Sequence, residues 1–292
     1  MSQFYRERIL VVGGTGTGKT LALFSIIEKV MAETSRHVYF LSCEGGAQSF
    51  LKRIPPEALD RWHYYTAYNF LTAYDAMSEI IQVIDEGDWL MIDREDFIWP
   101  WSQQWFEAET RGIPEPEVID AWIERRVKEK GEERRLRAAG DVKTADAVRM
   151  RISSADFTPR DWALLKAKHE AITFLPYSTR FDVIGANVMM TATVSPIQTF
   201  TDRKDNKPQP EDVHDLATFG LQLDGWKPLE SCARTVVLLR KRPNYTMVRV
   251  KDDDDRKWSS DGQPIPLDYA VGFLLTYQGQ IGDRLQVVPT EG

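Results

Sequence analysis

Short apolar blocks alternate with stretches of helical periodicity along much of the chain. The blocks that predict strands lie at 9–12, 37–42, 63–67, 89–93, 186–191, 235–240 and 245–251. Between the first four blocks, residues 21–30 and 69–85 repeat apolar side chains at the spacing of a helix. This alternation predicts an α/β fold with a mostly parallel central sheet, in which ligands bind at the carboxyl ends of the strands.

A long interruption follows the strand that ends at Asp93. It begins with several tryptophans and continues as a charged helix from about Glu117 to Arg151. A second helix is expected to begin near Thr158, with Thr158 or Asp161 as its cap. Residues 194–220 are rich in Pro, Asp, Lys and Asn and predict a long mobile loop. We therefore expect a core formed by residues 1–93 and 186–258, a mainly helical insertion at 94–185 whose last part returns to the core, and a C-terminal extension at 259–292.

The first predicted strand and helix enclose a glycine-rich loop that fits the pattern G-x-x-x-x-G-K-[ST]. Glycines let successive backbone N–H groups converge on an anion, and the following helix adds the positive end of its dipole. In this interpretation Lys19 reaches the β- and γ-phosphates of ATP, and the Thr20 hydroxyl binds Mg²⁺. The loop residues expected to bind nucleotide are Gly13, Gly14, Thr15, Gly16, Thr17, Gly18, Lys19 and Thr20.

Two acidic residues follow predicted strands and could complete a site with this loop. Asp93 ends an apolar strand and is predicted to bind Mg²⁺ directly or through water; the alternative is an acid that merely ends a strand. The sequence Arg94-Glu95-Asp96 places no glutamate directly beside it. We therefore expect the base at Glu44, where Gly45 and Gly46 would turn the backbone away and leave the carboxylate free to orient water. The alternative is a surface acid in a turn.

A strand-two glutamate combined with a strand-three aspartate that has no neighbouring glutamate resembles the RecA-like ATPases, including RecA, KaiC and DnaB-type helicases. The chain is more similar to the small phage-type RecA-like ATPases, one branch of which contains single-strand annealing recombination proteins. The segments that carry this resemblance are Ile92-Asp93, Phe97-Ile98-Trp99, Asp161-Trp162, residues 187–193, residues 235–240 and Val250-Lys251-Asp252. The resemblance implies a RecA-like P-loop NTPase core and Mg²⁺-dependent ATP hydrolysis.

The resemblance also implies roles for three residues outside the loop. Thr191, at the tip of the fifth strand, would contact the γ-phosphate or the attacking water; the alternative is an ordinary β-branched strand residue. Lys251 or Arg256 would reach the nucleotide of a neighbouring subunit in a ring or filament. Arg256 is preferred because a guanidinium grips phosphate bidentately. The family's Lys-Asp-Arg signature is stretched here by extra aspartates, and the alternative is a solvated turn.

Single-stranded DNA is the partner that the resemblance implies, held on the segments that follow Asp93 and Thr191. The candidate DNA-binding cations are Arg125, Arg126, Arg203, Lys204 and Lys207. The charged helix could instead be a solvated helix with ion pairs four residues apart, and the tryptophans of the insertion could stack on bases or pack against the core. Two further alternatives are a RecA-like ATPase with a protein partner, such as a KaiC-like switch or an assembly or packaging factor, and a P-loop kinase for a small metabolite.

Composition excludes few of these hypotheses about function. The net charge of −7 excludes a chain that is basic all over, but a local basic patch remains compatible with nucleic acid. Two cysteines and four scattered histidines indicate neither a disulfide framework nor a zinc site. No apolar run reaches the ~18 residues of a membrane helix, and the first residues do not form a signal peptide. We expect a cytoplasmic protein, in the host cell if viral, without a membrane partner.

Overall fold

The computed structural model describes residues 7–152, 158–169, 185–197, 215–226, 228–241, 246–252 and 265–266. Its strands are β1 Arg8–Gly13, β2 Val38–Ser42, β3 Trp62–Thr66, β4 Trp89–Asp93, β5 Asn187–Pro196, β6 Leu221–Leu223, β7 Thr235–Arg240, β8 Thr246–Asp252 and β9 Ile265–Pro266. Its α-helices are α1 Lys19–Glu33, α2 Phe70–Val83, α3 Ile98–Arg111, α4 Glu115–Ala138, α5 Val142–Ile152, α6 Pro159–His169 and α7 Leu229–Cys232. Short 3₁₀ turns include Gly45–Arg53 and Glu95–Phe97.

The strands form one sheet in the order β3-β2-β4-β5-β1-β7-β8-β9, with β6 paired to β5. From β3 to β7 all neighbours run parallel, whereas β8 and β9 add an antiparallel edge and β6 is antiparallel to β5. The prediction of an α/β fold with a mostly parallel sheet is therefore confirmed. The strand β5 lies between β1 and β4, so the carboxyl ends of these three strands meet at one edge of the sheet.

Apolar side chains on both faces of the sheet form two clusters. On β1, Ile9 and Val11 contribute to one cluster and Leu10 to the other, because successive strand residues point to opposite faces. Helix α1 covers the first face, where Phe24 is fully buried, and α2 covers the second, where Ile80 is fully buried. A strand covered on both sides reads as a continuous apolar run, and the short apolar blocks of the sequence have this appearance. The helices packed on the two faces hold the sheet, and with it the edge at which β1 leads into the glycine-rich loop.

Most element positions agree with the pattern of the sequence, and two do not. Strands β4 and β7 have the bounds expected for them. The strand expected to end at Thr191 continues to Pro196, because its last residues pair with β6, and so the predicted loop at 194–220 begins as a strand. The single charged helix is wrong as well: α4 and α5 are separate helices, and Gly140 between them has a positive φ of 79°.

The helices α3 to α6 lie between β4 and β5 in the chain. Three tryptophans of α3 (Trp99, Trp101 and Trp105) are partly buried against the second apolar cluster, as the packing alternative expected. The α6 cap joins Thr158 and Asp161 reciprocally: the Thr158 N–H donates to Asp161 Oδ2 at 2.9 Å, and the Asp161 N–H donates to Thr158 Oγ1 at 3.2 Å. Both residues therefore cap the helix.

Candidate phosphate-binding site

The glycine-rich loop joins β1 to α1, and its glycines meet specific steric demands. A Cβ at Gly13 would stand 2.7 Å from the carbonyl oxygen of Leu239 on the neighbouring strand. Gly16 and Gly18 have φ values of 74° and 92°, in the left-handed region that glycine adopts at no steric cost. The loop can therefore pass close to β7 and turn sharply into the helix, as the motif predicts.

Lys19 is the first residue of α1, and its side chain folds beneath the loop. Its Nζ donates hydrogen bonds to the carbonyl oxygens of Gly13 at 2.9 Å and Gly14 at 3.0 Å. Burial lowers the pKa of this ammonium, and the charge of Arg94 lowers it further, while three nearby carboxylates oppose the shift. Gly18, the N-cap, supplies no side chain to cap the helix. The loop therefore offers an anion a helix N-terminus and a lysine together.

Asp93 lies at the centre of the candidate site, where two hydroxyl groups from different elements converge on its carboxylate. Thr20 Oγ1 donates to Asp93 Oδ2 at 2.9 Å, and Thr191 Oγ1 donates to Asp93 Oδ1 at 2.8 Å. Burial raises the pKa of the fully buried Asp93, whereas the hydrogen bonds from Thr191 and Thr20 lower it. The Thr191 hydroxyl therefore has a polar partner, and Thr191 is more than a β-branched residue that fills space in the strand.

Hard oxygen ligands of this kind suit Mg²⁺, which takes one or two protein ligands and completes its octahedron with water and substrate phosphates. Asp93 and the Thr20 hydroxyl provide such a pair beside the loop. Among the residues that the structure describes, no group of three His, Cys, Asp or Glu side chains could enclose a metal ion. The residues present therefore fit a metal that is shared with a phosphate ligand.

Glu44 reaches the same edge of the sheet from β2. Residues Ser42 and Asp93 are paired across β2 and β4, and the Cys43 N–H donates to the Asp93 carbonyl at 3.0 Å. The next residue, Glu44, has an extended backbone and a half-exposed side chain. The structure therefore brings together the predicted base and the predicted metal ligand.

The prediction that Gly45 and Gly46 turn the backbone away from Glu44 is wrong in one respect. Neither Gly45 nor Gly46 has a positive φ, and a Cβ at either position would meet no atom within 4 Å. The backbone turns here because a 3₁₀ segment begins at Gly45, and that conformation is open to other residues. Glycine is not required at these two positions.

Arg94 is the site residue that the sequence pattern did not reveal. It is the only non-glycine residue in the described part of the chain with a positive φ, 68°. Its Nη1 donates to Glu44 Oε2 at 2.8 Å, and its Nε and Nη2 donate to the Asp96 carboxylate, each at 3.0 Å. Its backbone N–H donates to Thr191 Oγ1 at 2.8 Å. A cation directly after a strand-end acid was the available signal.

Lys241 is a second cation that the pattern did not single out. It follows β7, the strand that pairs with β1 on the side away from β5. A Cβ added at Gly16 would stand 4.0 Å from Lys241 Nζ, so this ammonium lies beside the apex of the loop. A basic residue at the end of a strand adjacent to β1 could have indicated it. We use the term phosphate site for Gly13–Thr20, Glu44, Asp93, Arg94 and Thr191.

Glu95 turns away from the phosphate site into a pocket that we call the aromatic pocket, formed by Glu95, Trp99, His169 and Trp226. Glu95 Oε1 lies 4.0 Å from His169 Nε2, and the rings of Trp99 and Trp226 contact the His169 ring edge-on. Burial raises the pKa of Glu95 to about 8 and lowers the pKa of His169 to about 3. The two groups are therefore both neutral at neutral pH, and their proximity is not an ion pair.

Among the remaining predicted residues, only Arg125 has a side chain that the structure describes. Arg125 lies on α4 and forms an ion pair with Glu129 at 3.2 Å. Lys251 belongs to β8 opposite Val236, but its side chain is outside the description. The residues whose side chains or whole positions are likewise outside the described residues are Arg126, Arg203, Lys204, Lys207 and Arg256. Their expected roles stay predictions.

The sequence was compared with models of known protein families and with curated proteins, and nothing matched in either comparison. Within the described part of the chain, no helix combines the length and apolar character needed to span a membrane. What the molecule can do is therefore argued from its own residues.

Proposed function

We propose that this chain is a Mg²⁺-dependent ATPase with a RecA-like P-loop core. The observation that carries the proposal is the Asp93 carboxylate, which accepts hydrogen bonds from Thr20 at the start of α1 and from Thr191 on β5. A chance glycine-rich turn would not require a buried acid on one strand and a hydroxyl on the next to converge beside it. The strand order, with β5 between β1 and β4, is compatible with such a core.

The residues of the phosphate site divide the work of hydrolysis between them. The loop amides and Lys19 would bind the β- and γ-phosphates, and Asp93 with Thr20 would hold Mg²⁺, which neutralises phosphate charge when bound. Glu44 would orient a water molecule and accept its proton. The water oxygen bonds to the γ-phosphorus, the bond from that phosphorus to the bridging oxygen breaks, and its electron pair stays on ADP. Thr191 would keep Asp93 oriented.

The first test is Lys19→Ala, compared with Lys29→Ala on the same helix. Lys29 forms an ion pair with Glu33 far along α1 and serves as a matched loss of one lysine. We expect Lys19→Ala to lose MgATP binding and hydrolysis, measured by calorimetry and phosphate release, while Lys29→Ala retains both. Circular dichroism should show that each variant is folded. Hydrolysis at the wild-type rate by folded Lys19→Ala protein would overturn the proposal.

The proposed partner is single-stranded DNA. A ring or filament of this chain would bind the DNA in recombination or replication of the viral type. The support is positional: the α3–α6 insertion follows β4 and the second long connection follows β5, and both strands end at the edge that holds the phosphate site. The test is the ATPase rate with and without single-stranded DNA at two salt concentrations. Stimulation that falls as salt rises supports DNA, because phosphate contacts release counterions.

A protein partner is the second candidate, and the ion pairs of the insertion favour it. Arg125 pairs with Glu129, and Arg137 pairs with Glu133 and with Asp146 on α5. These arginines are balanced by acids of α4 and α5, which leaves less unpaired positive charge for a phosphate backbone. An ATPase rate that is indifferent to DNA at both salt concentrations supports this alternative and contradicts the first.

A further inference from the structure

We propose that Arg94 is a positioning residue for Glu44, and that it joins the water-orienting side of the phosphate site to the metal side. This inference rests on the proposed ATPase activity and adds a residue that the loop motif does not contain. It follows from four contacts of Arg94, two with Glu44 and Thr191 of the phosphate site and two with the neighbouring Asp96 and Phe97.

The first contact fixes one oxygen of Glu44. Arg94 Nη1 lies 2.8 Å from Glu44 Oε2, and the pair is an ion pair as well as a hydrogen bond. The Glu44 side chain remains 49% exposed, and none of the described residues forms a hydrogen bond with its other oxygen. A carboxylate held by one oxygen keeps the second available for a water molecule, which is what a water-orienting group requires.

Two further contacts hold the guanidinium itself in place. Asp96, whose side chain is only 5% exposed, accepts from Nε and Nη2 of Arg94, each at 3.0 Å. The guanidinium carbon also lies 4.2 Å from the centre of the Phe97 ring. A guanidinium that is bound along one edge and lies over a ring loses little freedom when it binds Glu44. Arg94 is therefore a rigid support rather than a mobile surface cation.

The fourth contact involves the backbone and explains the unusual conformation. The Arg94 N–H donates to Thr191 Oγ1 at 2.8 Å, and that hydroxyl in turn donates to Asp93 Oδ1. A positive φ is sterically unfavourable in a non-glycine residue, so it persists only where its surroundings impose it. Here the turn directs the N–H toward the metal side and the side chain toward Glu44. Arg94 therefore contacts the metal side of the site through its backbone and the water-orienting side through its side chain.

A purely structural ion pair makes a different prediction. A half-exposed salt bridge contributes little to stability and has no reason to influence the chemical step. A positioning residue instead lowers kcat, leaves ATP binding in place, and acts only while Glu44 is present. These consequences separate the two interpretations.

The experiment is a double-mutant cycle on kcat and on the KM for ATP. It uses the full chain as wild type, Arg94→Met, Glu44→Gln and the double variant. We expect Arg94→Met to lower kcat about 10- to 100-fold, the range found when a partner that orients a reacting group is lost, while KM changes less than about threefold. The double variant should be no slower than Glu44→Gln, because Arg94 acts through Glu44.

Three variants complete the design. Arg94→Lys keeps the charge without the fork and should recover only part of the rate. Asp96→Asn keeps Arg94 but weakens the ion pair that holds its guanidinium, and we expect it to lower kcat as well. This variant serves as the test if Arg94→Met does not fold. Arg53→Met removes the partner of Glu28, another arginine–glutamate pair away from the phosphate site, and should leave kcat unchanged.

The possible failures are distinguishable. Independent, multiplicative losses in the double variant would overturn the positioning role while leaving the ATPase proposal intact. Loss of ATP binding in Arg94→Met with kcat unchanged would show instead that Arg94 is a nucleotide ligand. A folded wild-type protein that neither binds nor hydrolyses MgATP would overturn the proposed function, and this inference with it.

Discussion

Asp93 and Glu95 are two positions apart and both fully buried, but their environments are opposites. Asp93 accepts hydrogen bonds from two hydroxyl groups and faces the phosphate loop. Neither carboxyl oxygen of Glu95 has a hydrogen-bond partner among the described residues, and the buried His169 ring lies 4.0 Å away. Two acids close together in the sequence therefore have different surroundings, hydroxyl groups at Asp93 and aromatic rings at Glu95.

The electrostatics explain the difference. Burial raises the pKa of both acids, but at Asp93 two hydroxyl donors and the charge of Lys19 favour the ionised form. At Glu95 the negative charge of Asp96 adds to the effect of burial, and the pKa rises to about 8. Burial is the largest cause at both acids, and the neighbouring groups mainly oppose it at Asp93 and reinforce it at Glu95. The comparison predicts that only one of these acids belongs to the reaction.

Exchanging Glu44 and Glu95 in turn for glutamine gives the strongest test. Glu44→Gln should lower kcat about 10²- to 10⁴-fold, the range for loss of general acid–base assistance, while ATP binding is retained. Glu95→Gln, which keeps size and neutrality, should change kcat by less than about threefold on the same scale. The measurement is steady-state phosphate release with fluorescent nucleotide binding alongside. Normal turnover in Glu44→Gln with a large loss in Glu95→Gln would place the base in the aromatic pocket.

A smaller effect is expected at the hydroxyl that orients Asp93. Thr191→Val keeps the branched shape but removes the donor to Asp93 Oδ1. Loss of such an orienting partner should weaken the apparent Mg²⁺ affinity about 10- to 100-fold. The readout is the Mg²⁺ concentration that gives half-maximal ATP hydrolysis, with Thr193→Val, two residues further along β5, as the control. Equal Mg²⁺ dependence in wild type and Thr191→Val would mean that the hydroxyl only fills space.

The smallest effect concerns stability rather than turnover. Glu95 keeps its proton in the folded protein up to about pH 8, whereas an unfolded glutamate loses it near 4.5. Within this window the folded state binds more protons, so the free energy of unfolding falls as pH rises, by at most about 1.4 kcal/mol per pH unit. Glu95→Gln should flatten that decline in urea unfolding series between pH 6.5 and 8, above the range in which His169 contributes a slope of opposite sign. An unchanged slope would contradict the raised pKa of Glu95.

His169 gives the matching control on the acid side. Its pKa is lowered from 6.5 to about 3, so its contribution to stability is present above pH 6.5 and is lost as the pH falls toward 3. Glu95→Gln should leave this acid limb in place. The two limbs can then be assigned to separate groups of the aromatic pocket.

The sequence allowed the glycine-rich loop, Glu44, Asp93 and Thr191 to be placed at one edge of the sheet, because parallel strands bring their carboxyl ends together whatever lies between them. The roles predicted for these residues stay predictions. The sequence could not show that Glu95 faces inward. That depends on the positive φ of Arg94, and no propensity predicts such a conformation in an arginine. The break at Gly140 was visible as a glycine, but the surrounding charged pattern continues across it without interruption.

The length of α4 has a mechanical consequence. The helix has 24 residues, and the Trp122 indole N–H donates to Glu107 on α3, the helix that begins just after the phosphate site. From Trp122 to Ala138 the helix extends about 24 Å, so a tilt of about 10° at α3 would displace its far end by about 4 Å. Any rotation of α3 that carries α4 with it would therefore be amplified along the helix toward the hairpin of α4 and α5.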